Sequence, residues 1–143
     1  MTDTAWAPLR ELPRGTIGME RAARAIRHAS ARHTSVYLYG LEGDTLVLRA
    51  FSGRPTEHVR IRVGEGVCGR AVARGVSQVV ADVAADPDYI SCSLMTRSEC
   101  VVLVRRGGRV VGQIDIDSDV AGAFTAEDVS GLEAAARLIA QLF

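Results

Sequence analysis

Four short stretches of this chain hold side chains able to do thiol chemistry: Gly66-Val67-Cys68-Gly69, Ile90-Ser91-Cys92, Ser98-Glu99 and Asp115-Ile116-Asp117-Ser118. They carry two cysteines and three carboxylates, each beside a turn or a predicted strand. A thiol supplies nucleophilic or redox chemistry, and carboxylates bind a cation or move a proton, so the set suits a small polar substrate. Cys68 lies in a glycine turn at a predicted helix start, where unpaired N–H groups and the helix dipole favour the thiolate. Packing as a small buried hydrophobe is the other reading of a cysteine so placed. Cys92 is flanked by Ser91 and Ser93 in a polar loop that does not read as core, whereas Cys100 opens the apolar run Cys100-Val101-Val102-Leu103-Val104 and reads as packing. Asp115 and Asp117 are two apart on a predicted strand, so they share a face opposite Ile114 and Ile116. They could bind a substrate ammonium there, or form a solvated strand end. Glu99 precedes a hydrophobic strand; it is either a surface residue or, buried in a pocket, a general acid.

Other chemistries lack their residues. No Cys-x-x-Cys or His-x-x-x-His pair occurs, and the phosphate-binding glycine loop and the Ser-His-Asp nucleophile pattern are missing, so no resident metal or cofactor is expected. The formal net charge is zero and there is one tryptophan, without a basic run, which argues against a nucleic-acid partner. All 17 basic residues are arginine, from which no partner follows. Met1 to Gly15 lacks the charged start and apolar core of a secretory signal, and no apolar run reaches the ~18 residues of a membrane span. A cytoplasmic protein with no membrane partner is expected. In that reducing setting its 3 cysteines are free thiols, ligands or redox groups rather than a disulfide framework.

The elements that must position these groups follow from periodicity. A chain of 143 residues with 48% hydrophobic content can bury one core. Pro8, Pro13 and Gly15 mark residues 1–15 as an irregular N-terminal arm, leaving 16–143 as the domain. Met19, Ala22, Ala23, Ile26, Ala29 and His33 recur at helical spacing. Val36–Leu41 and Thr45–Ala50 form a predicted hairpin about Gly43, and His58–Val63 alternates as a half-buried strand. A short helix over 66–75 and a small strand from Gln78 follow. After the loop 82–95, strands Cys100–Val104 and Arg109–Ile116 are joined at Gly107-Gly108. Thr125 and Asp128 form a capping-box pair that opens a closing helix. The order is that of an α+β fold with a central, mostly antiparallel sheet.

Taken jointly, Gly66-Val67-Cys68-Gly69, Asp82-Val83, Ile90-x-Cys92, Ser98-Glu99, Gly112-x-x-Asp115-Ile116-Asp117-Ser118 and Phe124-Thr125-x-Glu127-Asp128 closely resemble the free methionine-(R)-sulfoxide reductases, single GAF domains. The interval from Cys68 to Cys92 matches too, and the likeness runs from Asp44 to the C-terminus. The resemblance implies a GAF fold: N- and C-terminal helices on one face of the sheet and a loop-covered pocket on the other. It implies Cys92 as nucleophile, Cys68 as resolving thiol, and Glu99, Asp115 and Asp117 as carboxylates that bind the substrate and help protonate its oxygen. It further implies recycling by thioredoxin and NADPH as an external reductant, and it allows a homodimer along the terminal helices. The chain departs from the family pattern in places. His58 stands where a further cysteine is usual, no tryptophan accompanies Tyr37 or Tyr39 at the methyl-binding position, and Asp88-Tyr89 and Ser93 replace Gly-His and aspartate around Cys92. A divergent reductase of another amino-acid-like S-oxide or N-oxide, or a ligand-binding or redox-sensing GAF module, fits the same departures.

Overall fold

Alternation along the central strands divides the molecule into two compartments. In the computed structural model, which describes residues 3–91 and 93–143, six strands form one sheet in the order β3-β2-β1-β6-β5-β4. They are β1 (Ser35–Glu42), β2 (Thr45–Ser52), β3 (Arg60–Arg62), β4 (Gln78–Val80), β5 (Ser98–Arg106) and β6 (Arg109–Ser118). Each neighbouring pair is antiparallel, and the α+β class expected from sequence is the one found. Val36, Leu38, Cys100, Val102, Ile114 and Ile116 face one side, where α1 (Thr16–His28) and α3 (Ala126–Ile139) cover them. Tyr37, Tyr39, Val101 and Leu103 face the other, against α2 (Gly66–Arg74). Both faces are covered, so β5 reads as an almost unbroken apolar run.

Local signals set the boundaries. The β5–β6 hairpin turns on Gly107 and Gly108, with φ 59° and 80°, the left-handed pair a two-residue type I′ turn requires. The Thr125 hydroxyl accepts from the Asp128 amide at 3.1 Å and the Asp128 carboxylate accepts from the Thr125 amide at 2.9 Å, closing the capping box of α3. His33, expected on the α1 face, lies beyond the end of that helix; its ring Nδ1 donates to the Ile26 carbonyl at 2.7 Å.

Within the irregular arm expected over residues 1–15, part is ordered as helix. Asp3–Leu9 form a 3₁₀ helix, and Trp6 and Leu9 are 1% and 0% exposed in the helix-side core. Their spacing of three matches the three-residue turn of that helix, so both point inward. Pro8 lies within the helix rather than breaking it.

Candidate functional site

The second compartment collects the polar residues singled out from sequence. β6 places Asp115 and Asp117 on the α2-facing side, and β5 places Glu99 there, paired in register with Asp117. Tyr37 on β1 is paired with Asp115, and Tyr39 lies two residues further along the same face. The two ends of the Gly-x-Cys-Gly turn then fix Cys68. Gly66 opens α2 at φ 63°, and a Cβ on it would stand 2.7 Å from the Ile90 side chain. A Cβ on Gly69 would meet the Arg62 carbonyl at 2.5 Å, so the helix can approach the β3 end closely only with glycine there. The result brings the Cys68 sulfur 3.9 Å from Glu99 Oε1.

Cys68, Glu99 and Asp115 are 5%, 5% and 3% exposed. With Tyr39, His58 and Ile90 they line a small, partly enclosed cavity. Asp115 hydrogen-bonds with both Glu99 and Cys68, yet burial dominates and raises its carboxyl above the ordinary value. Burial therefore favours the protonated form of Asp115 to higher pH than an ordinary aspartic acid. Asp115 Oδ1 has no hydrogen-bond partner among the described residues, leaving an acceptor in the site. Asp117, pushed well above its usual range by burial and then by Asp115, belongs to the same face but is not among the cavity-lining residues.

The expected ease of ionising Cys68 is reversed. Burial, then the nearby Asp115 and Glu99, push this thiol well above the usual cysteine value. A helix N-terminus contributes at most about 2 kcal/mol, which loses to desolvation beside two carboxyl groups. Cys100 is buried on the opposite face, in the helix-side core, as its apolar run implied. Cys92 lies outside the described residues. Cys68 Sγ and one oxygen each of Glu99 and Asp115 lie within 4.8 Å of one another, a spacing that could also accommodate a divalent cation.

Two loops roof the cavity, and sequence reasoning did not identify what holds them. In the first, the Arg54 guanidinium pairs with Asp119, its amide donates to Ser35 Oγ at 2.9 Å and its carbonyl accepts from the Tyr37 hydroxyl at 2.8 Å. Further along, the His58 carbonyl accepts from the Tyr39 hydroxyl at 2.7 Å. The His58 ring Nε2 then donates to the Ser91 carbonyl of the second loop at 3.0 Å, joining the two. His58 is thus a bridging residue. Arg54 had no motif to reveal it.

Buried acids leave a mark on stability. The folded chain holds protons on Asp115 and Asp117 at pH values where the unfolded chain, with ordinary carboxyls, has lost them. That contribution is complete below the unfolded value near 3.8 and is lost as pH rises through the raised folded values. An Asp117→Asn variant is therefore expected to melt above the parent at neutral pH, by about 4 °C or more, with the gap closing toward pH 4. Equal melting curves across that range in calorimetry would show that Asp117 titrates like a surface residue.

Comparison with known proteins places this geometry. Residues 17–143 match the GAF domain family. Over 104 residues, 73% of this chain, the sequence is 46% identical to the free methionine-R-sulfoxide reductase of Escherichia coli (strain K12). The chain spans 61% of that relative's length. The solved structure of the type II free methionine-R-sulfoxide reductase of Thermoplasma acidophilum is 40% identical, covers 87% of this chain and 88% of its own, and superposes with a TM-score of 0.84. That of Neisseria meningitidis free methionine-R-sulfoxide reductase in complex with its substrate is 31% identical, with 100% and 92% coverage and a TM-score of 0.87.

Proposed function

Because the chain belongs to the GAF domain family and counts the free methionine-R-sulfoxide reductases among its relatives, we propose that it reduces free L-methionine (R)-sulfoxide through its cysteines. The observation that carries this reading is the buried Glu99–Asp115 carboxyl pair, bonded to the Cys68 thiol and lining a cavity with Tyr39, His58 and Ile90. Such a pair can hand a proton to a sulfoxide oxygen without water.

In the proposed cycle the Cys92 sulfur attacks the sulfoxide sulfur while the carboxyl pair protonates its oxygen. The oxygen passes to Cys92 as a sulfenic acid, the thiol's own proton replaces the one lent by the pair, and methionine leaves as the thioether. Cys68 then attacks the sulfenic sulfur; a disulfide forms and the hydroxyl departs as water, carrying the Cys68 proton. A dithiol of the thioredoxin class, recharged by NADPH, takes over the disulfide and restores both thiols. Tyr39 lines the substrate's space with its ring, its hydroxyl being engaged by His58. Asp117 acts through Asp115 rather than by touching the substrate. Such a cycle belongs in the reducing cytoplasm. No helix among the described residues is long and apolar enough to cross a membrane.

The test follows NADPH oxidation with thioredoxin and thioredoxin reductase on each isomer of free methionine sulfoxide. Turnover on the (R) isomer alone, absent for the (S) isomer and for the N-acetyl peptide form, is the expected result. No turnover on any of them, with calorimetric binding of the (R) isomer retained, would favour a ligand-sensing module instead.

A further inference from the structure

The loop that follows β4 roofs the cavity, and its attachment to α2 is unusually elaborate for a loop. Arg70, one helical turn beyond Gly66, has a side chain only 14% exposed. Its guanidinium grips Asp86 with two parallel bonds of 2.8 and 2.9 Å. It also donates to Asp88 at 2.9 Å and to Gln78 Oε1 at 3.1 Å. Asp86 is itself a turn-former, accepting from the Asp88 amide at 2.9 Å. The Arg70–Asp86 pair is shielded on both sides, the Asp86 side chain being 12% exposed. Two residues past Asp88, Ile90 rests against Gly66 and lines the cavity, and next to it the Ser91 carbonyl receives the His58 bond. Positions 66 and 70 lie on one face of α2, and the same helix holds Cys68 among its buried residues.

We propose that Arg70 is a positioning residue: by clamping Asp86 and Asp88 to the helix that carries Cys68, it holds the Ile90–Ser91 roof over the substrate cavity. Arginine is required for this. A planar fork with five donors can satisfy two carboxylates and an amide oxygen at once, which a lysine ammonium on a flexible stem cannot do in the same plane. Unclamped, the roof exchanges between open and seated forms, and the substrate binds only to the seated fraction, so apparent affinity falls by that fraction. The chemical step in the seated form is unchanged. The kinetic consequence rests on the reductase reading; the clamp itself does not.

Two measurements on the full chain separate those layers. In Arg70→Ala, hydrogen exchange of the amides of Asp86 and of residues 88–91 is expected to accelerate about tenfold or more, with β1, β5 and β6 protected as in the parent. Arg70→Lys should recover only part of the protection, and adding Asp86→Asn to Arg70→Ala should add little, since the Arg70 variant already lacks that pair. In the coupled assay, KM for methionine (R)-sulfoxide should rise about tenfold with kcat within twofold. Unchanged exchange over 86–91, or exchange accelerated equally in the sheet, overturns the clamp. So does a fall in kcat with KM unmoved. If the parent itself turns over no sulfoxide, the reductase reading has failed, and the exchange data alone decide on Arg70.

Discussion

A Cys68→Ser chain is expected to release one equivalent of methionine per molecule and then stop when thioredoxin is the reductant, while Cys92→Ser releases none. Serine at 92 removes the only group proposed to take the sulfoxide oxygen. Serine at 68 leaves that step intact but strands the sulfenic acid, since thioredoxin acts on the disulfide. The sequence offers no second rescue: of its 3 cysteines, Cys100 is fully buried on the far face of the sheet. Rapid-quench measurement of methionine released, with a dimedone trap weighed by mass spectrometry, reads both effects. Steady turnover by Cys68→Ser would move the resolving role elsewhere.

Replacing Asp115 by asparagine is expected to lower kcat/KM by roughly 10²–10⁴-fold, the range for loss of a positioned general acid. The residue does two jobs at once. Its burial-raised carboxyl keeps its proton to higher pH than an ordinary aspartic acid, and its free Oδ1 presents an acceptor to the substrate. Asparagine retains the shape and an acceptor but cannot share a proton with Glu99. In the parent, activity should decline as pH rises through the raised value of Asp115, because the proton to be donated is gone. The variant's residual activity should lack that alkaline limb. A variant that keeps the limb would assign the acid elsewhere, with Glu99→Gln as the next substitution to compare. Macroscopic values from such profiles belong to the pair rather than to either residue.

Much of this site was legible because strand periodicity is an exact rule. Two-residue spacing alone put Asp115 and Asp117 on one face and Ile114 and Ile116 on the other, and the apolar run assigned Cys100 to packing. The hairpin glycines and the Thr125–Asp128 box were readable for the same reason: each is a local device with a local signature. What sequence missed depends on contacts between distant segments. The thiol of Cys68 was assigned by its helix position, but two carboxyls from other strands and the burial they share decide its behaviour. Trp6 and Leu9 looked like an arm because the prolines around them are conspicuous, while the core that receives them is not. Arg54 and Arg70 are ordinary arginines until Asp119, Asp86 and Asp88 are brought to them.

Because the odd and even positions of β5 and β6 serve opposite compartments, chemistry and folding share one reading frame. A slip of a single residue would turn Ile116 toward the cavity and drive Asp115 into the oily layer beneath α1 and α3, an arrangement the core cannot tolerate. A sheet of this chain that pairs in any other register therefore cannot keep its core, and the strand order that closes the core also delivers the carboxyl pair to the cavity.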